Sequence, residues 1–179
     1  KYLGNNRFER IRKIDGRASS LSHNRIWDIV DNDSGSLWVA TSFGLNLFDK
    51  ESQTFTHYFP EPENNTATGG NEIRSLLKAS TGKFYVATQK GPYVFEQQTG
   101  VFTRLSGTVD SNLGQVNSMI EDQDANIWFV TSKGVYRQSS LDSKIEKLNL
   151  ESNNGLRIMF EDNAKTKWLT SEVQGIYQL

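Results

Sequence analysis

Trp38-Val39-Ala40-Thr41, followed by Gly44, is the first of four copies of one short pattern: an aromatic residue opens an apolar run that ends at a small residue and a glycine. The other copies begin at Tyr85, Trp128 and Trp168, so successive aromatic residues lie 47, 43 and 40 positions apart. Short strands that repeat every 40 to 50 residues or so are typical of a β-propeller, in which each repeat is one blade. The pattern therefore predicts an all-β propeller.

Each repeat contains four short strands, which we label A to D. Strand A carries apolar residues three positions apart, such as Ile26 and Ile29, and the repeat aromatic opens strand B. Between these strands lie Asp, Asn, Ser and Gly, which favour tight turns because their side chains bond local backbone or tolerate positive φ. Strand C follows the glycine, strand D follows C, and no stretch has helical periodicity. We predict four blades of four antiparallel strands in one domain, residues 1–179, with repeats at 21–58, 70–105, 113–148 and 154–179.

The fourth repeat stops after its C strand, and a matching D strand is found at the other end of the sequence. Phe8-Glu9-Arg10-Ile11 aligns with Phe55-Thr56-His57-Tyr58. We therefore expect residues 1–12 to complete the fourth blade, because propellers often close by joining the two chain termini in one blade. The same offset fits a larger propeller divided between blades, so both a closed ring and a segment of a larger ring remain open.

Composition excludes several classes of function. The 179 residues carry a net charge of −1, which argues against a nucleic-acid surface, since such a surface needs a basic patch. There is no cysteine, so disulfides and thiolate metal sites are excluded and the redox compartment stays undetermined. No apolar run is long enough to span a membrane, and we expect no membrane contact by this segment.

The repeat resembles a known family. Residues 21–29 followed by 35–46, with Leu37-Trp38-Val39-Ala40-Thr41 and then Gly44-Leu45, are similar to the two-component regulator propeller repeat. Residues 113–137 repeat the pattern well. Residues 70–95 depart from it, with Tyr85 in place of tryptophan and Pro92 after the glycine, and residues 155–177 lack the asparagine before strand A.

This resemblance implies an extracytoplasmic sensor. Repeats of that family build the sensory part of bacterial membrane receptors, often hybrid histidine kinases that respond to glycans and sometimes diguanylate cyclases. The usual receptor joins two seven-bladed propellers, a β-sandwich, a membrane span and a cytoplasmic output domain. The resemblance therefore implies a periplasmic piece of a larger receptor whose kinase or cyclase domain lies outside these residues.

Two acidic turns look at first like calcium loops. Asp31 with Asp33, and Asp122 with Asp124, have the spacing that opens an EF-type loop. Such a loop needs a bidentate glutamate at its twelfth position, but those positions hold Ser42 and Lys133. We interpret these carboxylates as turn formers and expect no metal and no cofactor.

Catalysis has little support in the sequence. There are two histidines, His23 and His57, and the serines follow no nucleophile-elbow pattern. Adjacent carboxylates such as Glu121 and Asp122 face opposite sides of a strand and so do not form a catalytic pair. We predict a chain that is not an enzyme, with no catalytic residue.

The candidate ligand-binding residues lie at one end of the predicted blades. The repeat aromatics occupy one position in every blade and are expected to form core between blades, whereas Trp27 has no aromatic counterpart in the other A strands. Antiparallel strands bring the D-to-A and B-to-C connections to the same end. The candidates there are His23, Asn24, Arg25, Trp27, Phe43, Asn71, Arg74, Lys90, Asn117, Lys133 and Arg157.

Three functional hypotheses follow from these features. The first is a non-catalytic sensory module that binds a polar ligand such as an oligosaccharide, with a neighbouring propeller or β-sandwich of the same receptor as a further partner. The second is a structural or protein-interaction scaffold without a small-molecule ligand. The third is a fragment of a carbohydrate-active enzyme. An array that does not close would leave apolar faces uncovered and is expected to form a homo-oligomer.

Overall fold

The computed structural model describes residues 9–63, 70–107 and 112–179, which form four small sheets. Blade 1 contains β1 (Ile26–Asp31), β2 (Ser36–Thr41), β3 (Gly44–Asp49) and β4 (Thr54–Tyr58). Blade 2 contains β5 (Ile73–Lys78), β6 (Phe84–Thr88), β7 (Gly91–Glu96) and β8 (Val101–Arg104). Blade 3 contains β9 (Val116–Glu121), β10 (Ile127–Thr131), β11 (Gly134–Gln138) and β12 (Ile145–Lys147). Blade 4 contains β13 (Leu156–Glu161), β14 (Lys167–Ser171) and β15 (Gly175–Gln178).

Each blade is an antiparallel meander in which neighbouring strands follow one another in sequence. The A strands are the inner strands, since β1 packs beside β5, β5 beside β9, and β9 beside β13. The all-β propeller predicted from the repeat is therefore confirmed.

The turns between strands A and B have the same closure in all four blades. In blade 3 the backbone N–H of Asp122 donates to the carbonyl of Asn126 at 2.9 Å, and equivalent bonds begin at Asn32, Ala79 and Asp162. The fourth residue of the turn has positive φ in all four blades, where it is Gly35, Gly82, Ala125 or Lys165. Polar turn residues and two glycines, Gly35 and Gly82, were enough to predict these turns.

The core lies between consecutive blades. Trp38 packs with residues of blades 1 and 2, Tyr85 with residues of blades 2 and 3, and Trp128 with residues of blades 3 and 4. All three aromatic side chains are buried. The prediction that they form core between blades is confirmed, while Trp168 of the last blade is half-buried.

The four blades form an open arc. Each of the three large apolar clusters joins one blade to the next, and none in the described part of the chain joins blade 4 to blade 1. A fourth, smaller cluster combines Leu21 with Val39 and Phe48 inside blade 1. Of the two arrangements that the sequence left open, the closed ring is not seen in the described residues.

The expected completion of blade 4 by the amino-terminal strand is wrong for the residues that the structure describes. Residues 9–12 form no strand, and Ile11 lies beside Leu37 and Phe48 of blade 1 instead of pairing with β15. The apolar face of blade 1 attracts Ile11 because contact there removes hydrocarbon from water. Phe8 and residues 1–7 lie outside the described residues. Blade 4 consequently has three described strands.

None of the described segments forms a helix that is long and apolar enough to cross a bilayer.

Candidate functional site

The D-to-A and B-to-C connections meet at one end of every blade, as predicted. The backbone N–H of Ser42 donates to the carbonyl of Arg25 at 3.1 Å, which ties the two connections of blade 1 together. The same contact recurs in the other blades, from Gln89 to Glu72, from Ser132 to Gln115, and from Glu172 to Gly155. We call this end of the arc the loop end.

A β-bulge presents one side chain of each inner strand at the loop end. In blade 1, Ile26 pairs with Thr41 and Asp28 pairs with Ala40, so Trp27 is an extra residue without a partner in the register. The register shifts at the same place in the other three blades, where Arg74, Asn117 and Arg157 stand. Bulges redirect side chains and are frequent beside functional sites. Four of the predicted ligand-binding residues therefore occupy equivalent, redirected positions.

Trp27 is held in place by its neighbours. Its indole N–H donates to the hydroxyl of Ser42 at 3.0 Å. The guanidinium carbons of Arg25 and Arg74 lie 4.2 and 5.0 Å from the centre of the indole ring. These cation–π contacts, together with packing against the buried apolar cluster of blades 1 and 2, fix the ring. Two cations therefore lie over the Trp27 ring at the loop end, so the ring face is not open to a ligand.

Three of the predicted cations form ion pairs. Arg74 Nε lies 2.6 Å from a carboxylate oxygen of Glu72, and Lys90 Nζ lies 2.7 Å from Glu61. Arg157 lies 2.6 Å from Glu172, and this hydrogen bond lowers the pKa of Glu172. A ligand anion at these three positions would compete with a carboxylate that is already bound.

Arg25 and Lys133 differ from those cations. Lys133 Nζ donates to the backbone carbonyl of Asn112 at 2.9 Å. Arg25 is exposed, and within the described ranges it has no carboxylate within 4.0 Å. Of the predicted cations at the loop end, Arg25 and Lys133 are therefore the two that have no carboxylate partner among the described residues.

Two predicted asparagines brace the structure. Asn71 is buried, and both ends of its amide bond the backbone of Glu61, so it holds the loop before blade 2. Asn117 donates to the carbonyl of Leu156 at 2.8 Å and so links blade 3 to blade 4. These hydrogen bonds give both side chains a structural role, and their role as ligand contacts stays a prediction.

His23 and Asn24 bond nearby backbone. Nδ1 of His23 accepts from the N–H of Arg25 at 3.0 Å, and the side-chain oxygen of Asn24 accepts from the N–H of Lys13 at 2.7 Å. Asn24 therefore holds the start of residues 13–22, a segment that the sequence analysis did not single out.

That segment and Phe43 border a cleft at the loop end. The Phe43 ring is half-buried and lies 5.1 Å from the ring of Phe59. The cleft has a volume of about 380 Å³, within the usual range for small-molecule sites. His57 also lines it and holds the carbonyl of Ser20 at 2.7 Å. Sequence reasoning found Phe43 but missed its partners, which only long-range packing brings together.

The carboxylate of the acidic turn in blade 3 stabilises the fold through hydrogen bonds. Asp122 accepts turn N–H groups of Asp124 and Asn126, as the turn interpretation predicts. Its other oxygen accepts the indole N–H of Trp128 at 2.7 Å. Burial raises the pKa of Asp122, but the hydrogen bonds from Trp128 and Asn126 and the charge of Lys167 outweigh burial and lower it overall. In the described part of the chain no group of three or more His, Asp or Glu is placed to hold a metal ion.

The comparisons with known proteins agree on the fold. No protein-family model matches the sequence, and no curated protein is significantly similar to it. Among solved structures, the chain is similar to the extracellular domain of BT4673 from B. thetaiotaomicron, which is assigned as a hybrid two component system. The TM-score is 0.72 at 19% identity, over 92% of this chain and 22% of that one.

Two further solved structures are similar to this chain, with lower TM-scores. The extracellular domain of BT3049 from the same organism, with the same assignment, has a TM-score of 0.53 at 18% identity, over 94% of this chain and 28% of that one. The virginiamycin B lyase from Staphylococcus aureus has a TM-score of 0.64 at 15% identity, over 95% and 58%. At such identities the likeness establishes the propeller fold, and this chain spans less than a third of either B. thetaiotaomicron chain.

Proposed function

We propose that this chain is a non-catalytic, ligand-binding propeller segment of a bacterial receptor of the two-component type. The observation that carries the proposal is the loop end, where four bulged inner-strand residues, four B-to-C connections and three D-to-A connections converge. The fold likeness to extracellular domains assigned to hybrid two component systems supports the receptor context. The proposal places the segment in the periplasm and the kinase or cyclase in another domain.

The expected ligand is a polar, oligosaccharide-like molecule. The loop end offers the exposed guanidinium of Arg25, which has no carboxylate partner among the described residues, and the half-buried aromatic ring of Phe43 within one blade. Sugars suit such a surface because they combine many hydroxyl groups with apolar ring faces. Ligand binding would pass to the output domain as a rigid-body movement of the propeller.

The proposal that the segment is not catalytic rests on how its reactive groups are used. Each histidine bonds backbone through one ring nitrogen, and Asp122 and Asp162 serve turns and indole groups. The similarity to a lyase does not favour catalysis, because one fold hosts many functions and chemistry depends on the site.

The neighbouring partner is expected to be another blade. The outer faces of blades 1 and 4 expose apolar side chains such as Ile29 and Phe160. We propose that further blades of a longer receptor cover these faces, and that the isolated segment associates with copies of itself. A pure scaffold would need only these faces and no loop-end ligand.

A thermal-shift screen against neutral and acidic oligosaccharides tests the function. A ligand that binds the native state at a hundred times its Kd stabilises it by about 2.7 kcal/mol, which corresponds to a rise of several degrees in Tm. The rise should shrink in Arg25→Gln and persist in Lys83→Gln, whose side chain lies in the A-to-B turn at the opposite end. No shift with any saccharide would favour the scaffold, and turnover of a saccharide would favour the enzyme.

A further inference from the structure

The segment formed by residues 13–22 is fixed on blade 1 by a dense set of long-range contacts. The N–H of Ser22 donates to the side chain of Asn46 at 2.9 Å, and Ser19 accepts the N–H of Phe55 at 3.0 Å. The hydroxyl of Ser20 bonds the backbone of Ile14 and Arg17. The segment is therefore preorganised, which lowers the entropy lost when a ligand binds.

Two clefts lie on either side of this segment. The first, of about 380 Å³, is the one bordered by Phe43, Phe59 and His57. The second has about 240 Å³ and is bordered by Gln53 and Phe55 of blade 1. Both clefts share Ile14, Arg17 and Ser20 in their walls, so they form one continuous surface divided by the segment.

Positive charge is concentrated around the two clefts. Lys13 and Arg17 line the first, and Arg10, Arg12 and Arg17 line the second. All four side chains are exposed. Within the described ranges, none of the three arginines has a carboxylate within 4.0 Å, whereas most basic groups of the blades do.

The acidic groups near the clefts leave this charge in excess. Asp15 lies 3.9 Å from Lys13, and its side chain is almost fully exposed. Among the described residues that line the second cleft, Glu9 is the acidic one. Since the chain as a whole has a net charge of −1, a local excess of cations is a specific feature of this surface.

We infer that the two clefts bind an acidic saccharide, a class of ligand that adds to the proposed function and rests on it. Arg17 lies at the junction of the clefts, where its planar guanidinium can hold a carboxylate through two parallel hydrogen bonds. The ring face of the same sugar packs on the Phe43–Phe59 pair in the first cleft. Arg10 and Arg12 hold the acid group of the next sugar unit in the second cleft.

Calorimetric titration with trigalacturonate, and with neutral galactotriose of the same length, tests the inference. We expect trigalacturonate to bind, galactotriose to bind at least about tenfold more weakly, and the difference to fall as salt is added. Arg17→Gln should weaken trigalacturonate binding by about ten- to a hundredfold, because charge-assisted hydrogen bonds are lost. Lys83→Gln removes one positive charge at the opposite end and should leave the affinity unchanged.

The outcomes separate this inference from the proposed function. Arg17 is exposed, so Arg17→Gln should keep the wild-type Tm, and a change in affinity then reports on the site. Trigalacturonate binding that Arg17→Gln does not weaken, or equal binding of galactotriose, would overturn the acidic-cleft inference and leave the sensor proposal standing. Absence of trigalacturonate binding would also overturn the inference, while the Arg25→Gln thermal-shift comparison would still judge the sensor proposal independently.

Discussion

One apolar position of strand A is exposed in blade 1 and buried in the other three blades. Ile29 of blade 1 is 56% exposed, whereas the equivalent Leu76, Met119 and Met159 are at most 7% exposed. Leu76, Met119 and Met159 each pack against the preceding blade, whereas Ile29 has no preceding blade beside it among the described residues. Burial of such a side chain is worth about 1.5–3 kcal/mol, so this position stabilises the fold only where a neighbour exists.

Blade 4, at the other end of the arc, leaves exposed the apolar face that would contact a following blade. Phe160 of blade 4 is 61% exposed, whereas the equivalent Leu77 and Ile120 pack into the clusters with the following blade. Ile176 of blade 4 is 63% exposed, and its counterpart Val135 is fully buried. Each blade therefore carries two complementary apolar faces, and an end blade buries only one of them.

The largest expected effect comes from truncating this repeat position in the middle of the arc. Leu76→Ala should lower the free energy of unfolding by about 2–5 kcal/mol, because it removes buried methyl groups and leaves a cavity. Ile29→Ala changes the same position at the exposed end and should cost less than about 1 kcal/mol. Urea denaturation of both variants measures the contrast. Equal costs would mean that a neighbour covers Ile29 in solution.

Removing Asp122 tests the polar part of an inner interface. Asp122→Ala leaves the buried indole N–H of Trp128 without its acceptor and should destabilise the protein by about 1–3 kcal/mol. Asp124→Ala, in the same turn, removes an exposed pair with Lys165 and should cost at most about 1 kcal/mol. Thermal denaturation of the two variants decides, and a larger loss in Asp124→Ala would contradict this account.

The stabilising effect of Asp122 should depend on pH. Its pKa is lowered in the folded protein, so the contribution is present above the pKa of the unfolded chain, near 4, and is lost as pH falls through the folded value. The stability difference between wild type and Asp122→Asn should therefore be largest near neutral pH and shrink in acid. A difference that grows on acidification would show that the sign is wrong.

The smallest effects are expected in the turns, away from either kind of face. Gly82 has φ +83° with open space around its missing side chain, so Gly82→Ala should cost about 1 kcal/mol through backbone strain alone. Ala125 has φ 60° at the same turn position of blade 3, so Ala125→Gly should stabilise by roughly 0.5 kcal/mol. Chemical denaturation of the pair should give opposite signs, and equal signs would refute the shared-turn geometry.

The sequence predicted the fold because the repeat is local and periodic. It could also have predicted the link between turn and aromatic: Asn32, Asp122 and Asp162 each accept the indole N–H of a tryptophan six positions later. Blade 2 replaces both members with Ala79 and Tyr85, and the tyrosine hydroxyl bonds Gln138 of blade 3 instead.

The loop end was predicted only in outline. Antiparallel connectivity placed the connections together, but the ion pairs of Arg74, Lys90 and Arg157 depend on loop conformations that no local pattern specifies. The clefts beside residues 13–22 depend on contacts such as Ser22 with Asn46, 24 positions apart. Tertiary packing of that kind leaves no periodic signal in a single sequence.

Light scattering on the 179-residue chain tests the open arc most directly. We expect the wild type to associate as its concentration rises, because the faces marked by Ile29 and Phe160 are uncovered. Ile29→Lys combined with Phe160→Lys should restore a species near the monomer mass of 20.3 kDa. A wild-type chain that stays a 20.3 kDa monomer at every concentration would contradict the account, because it would mean that the end faces need no cover.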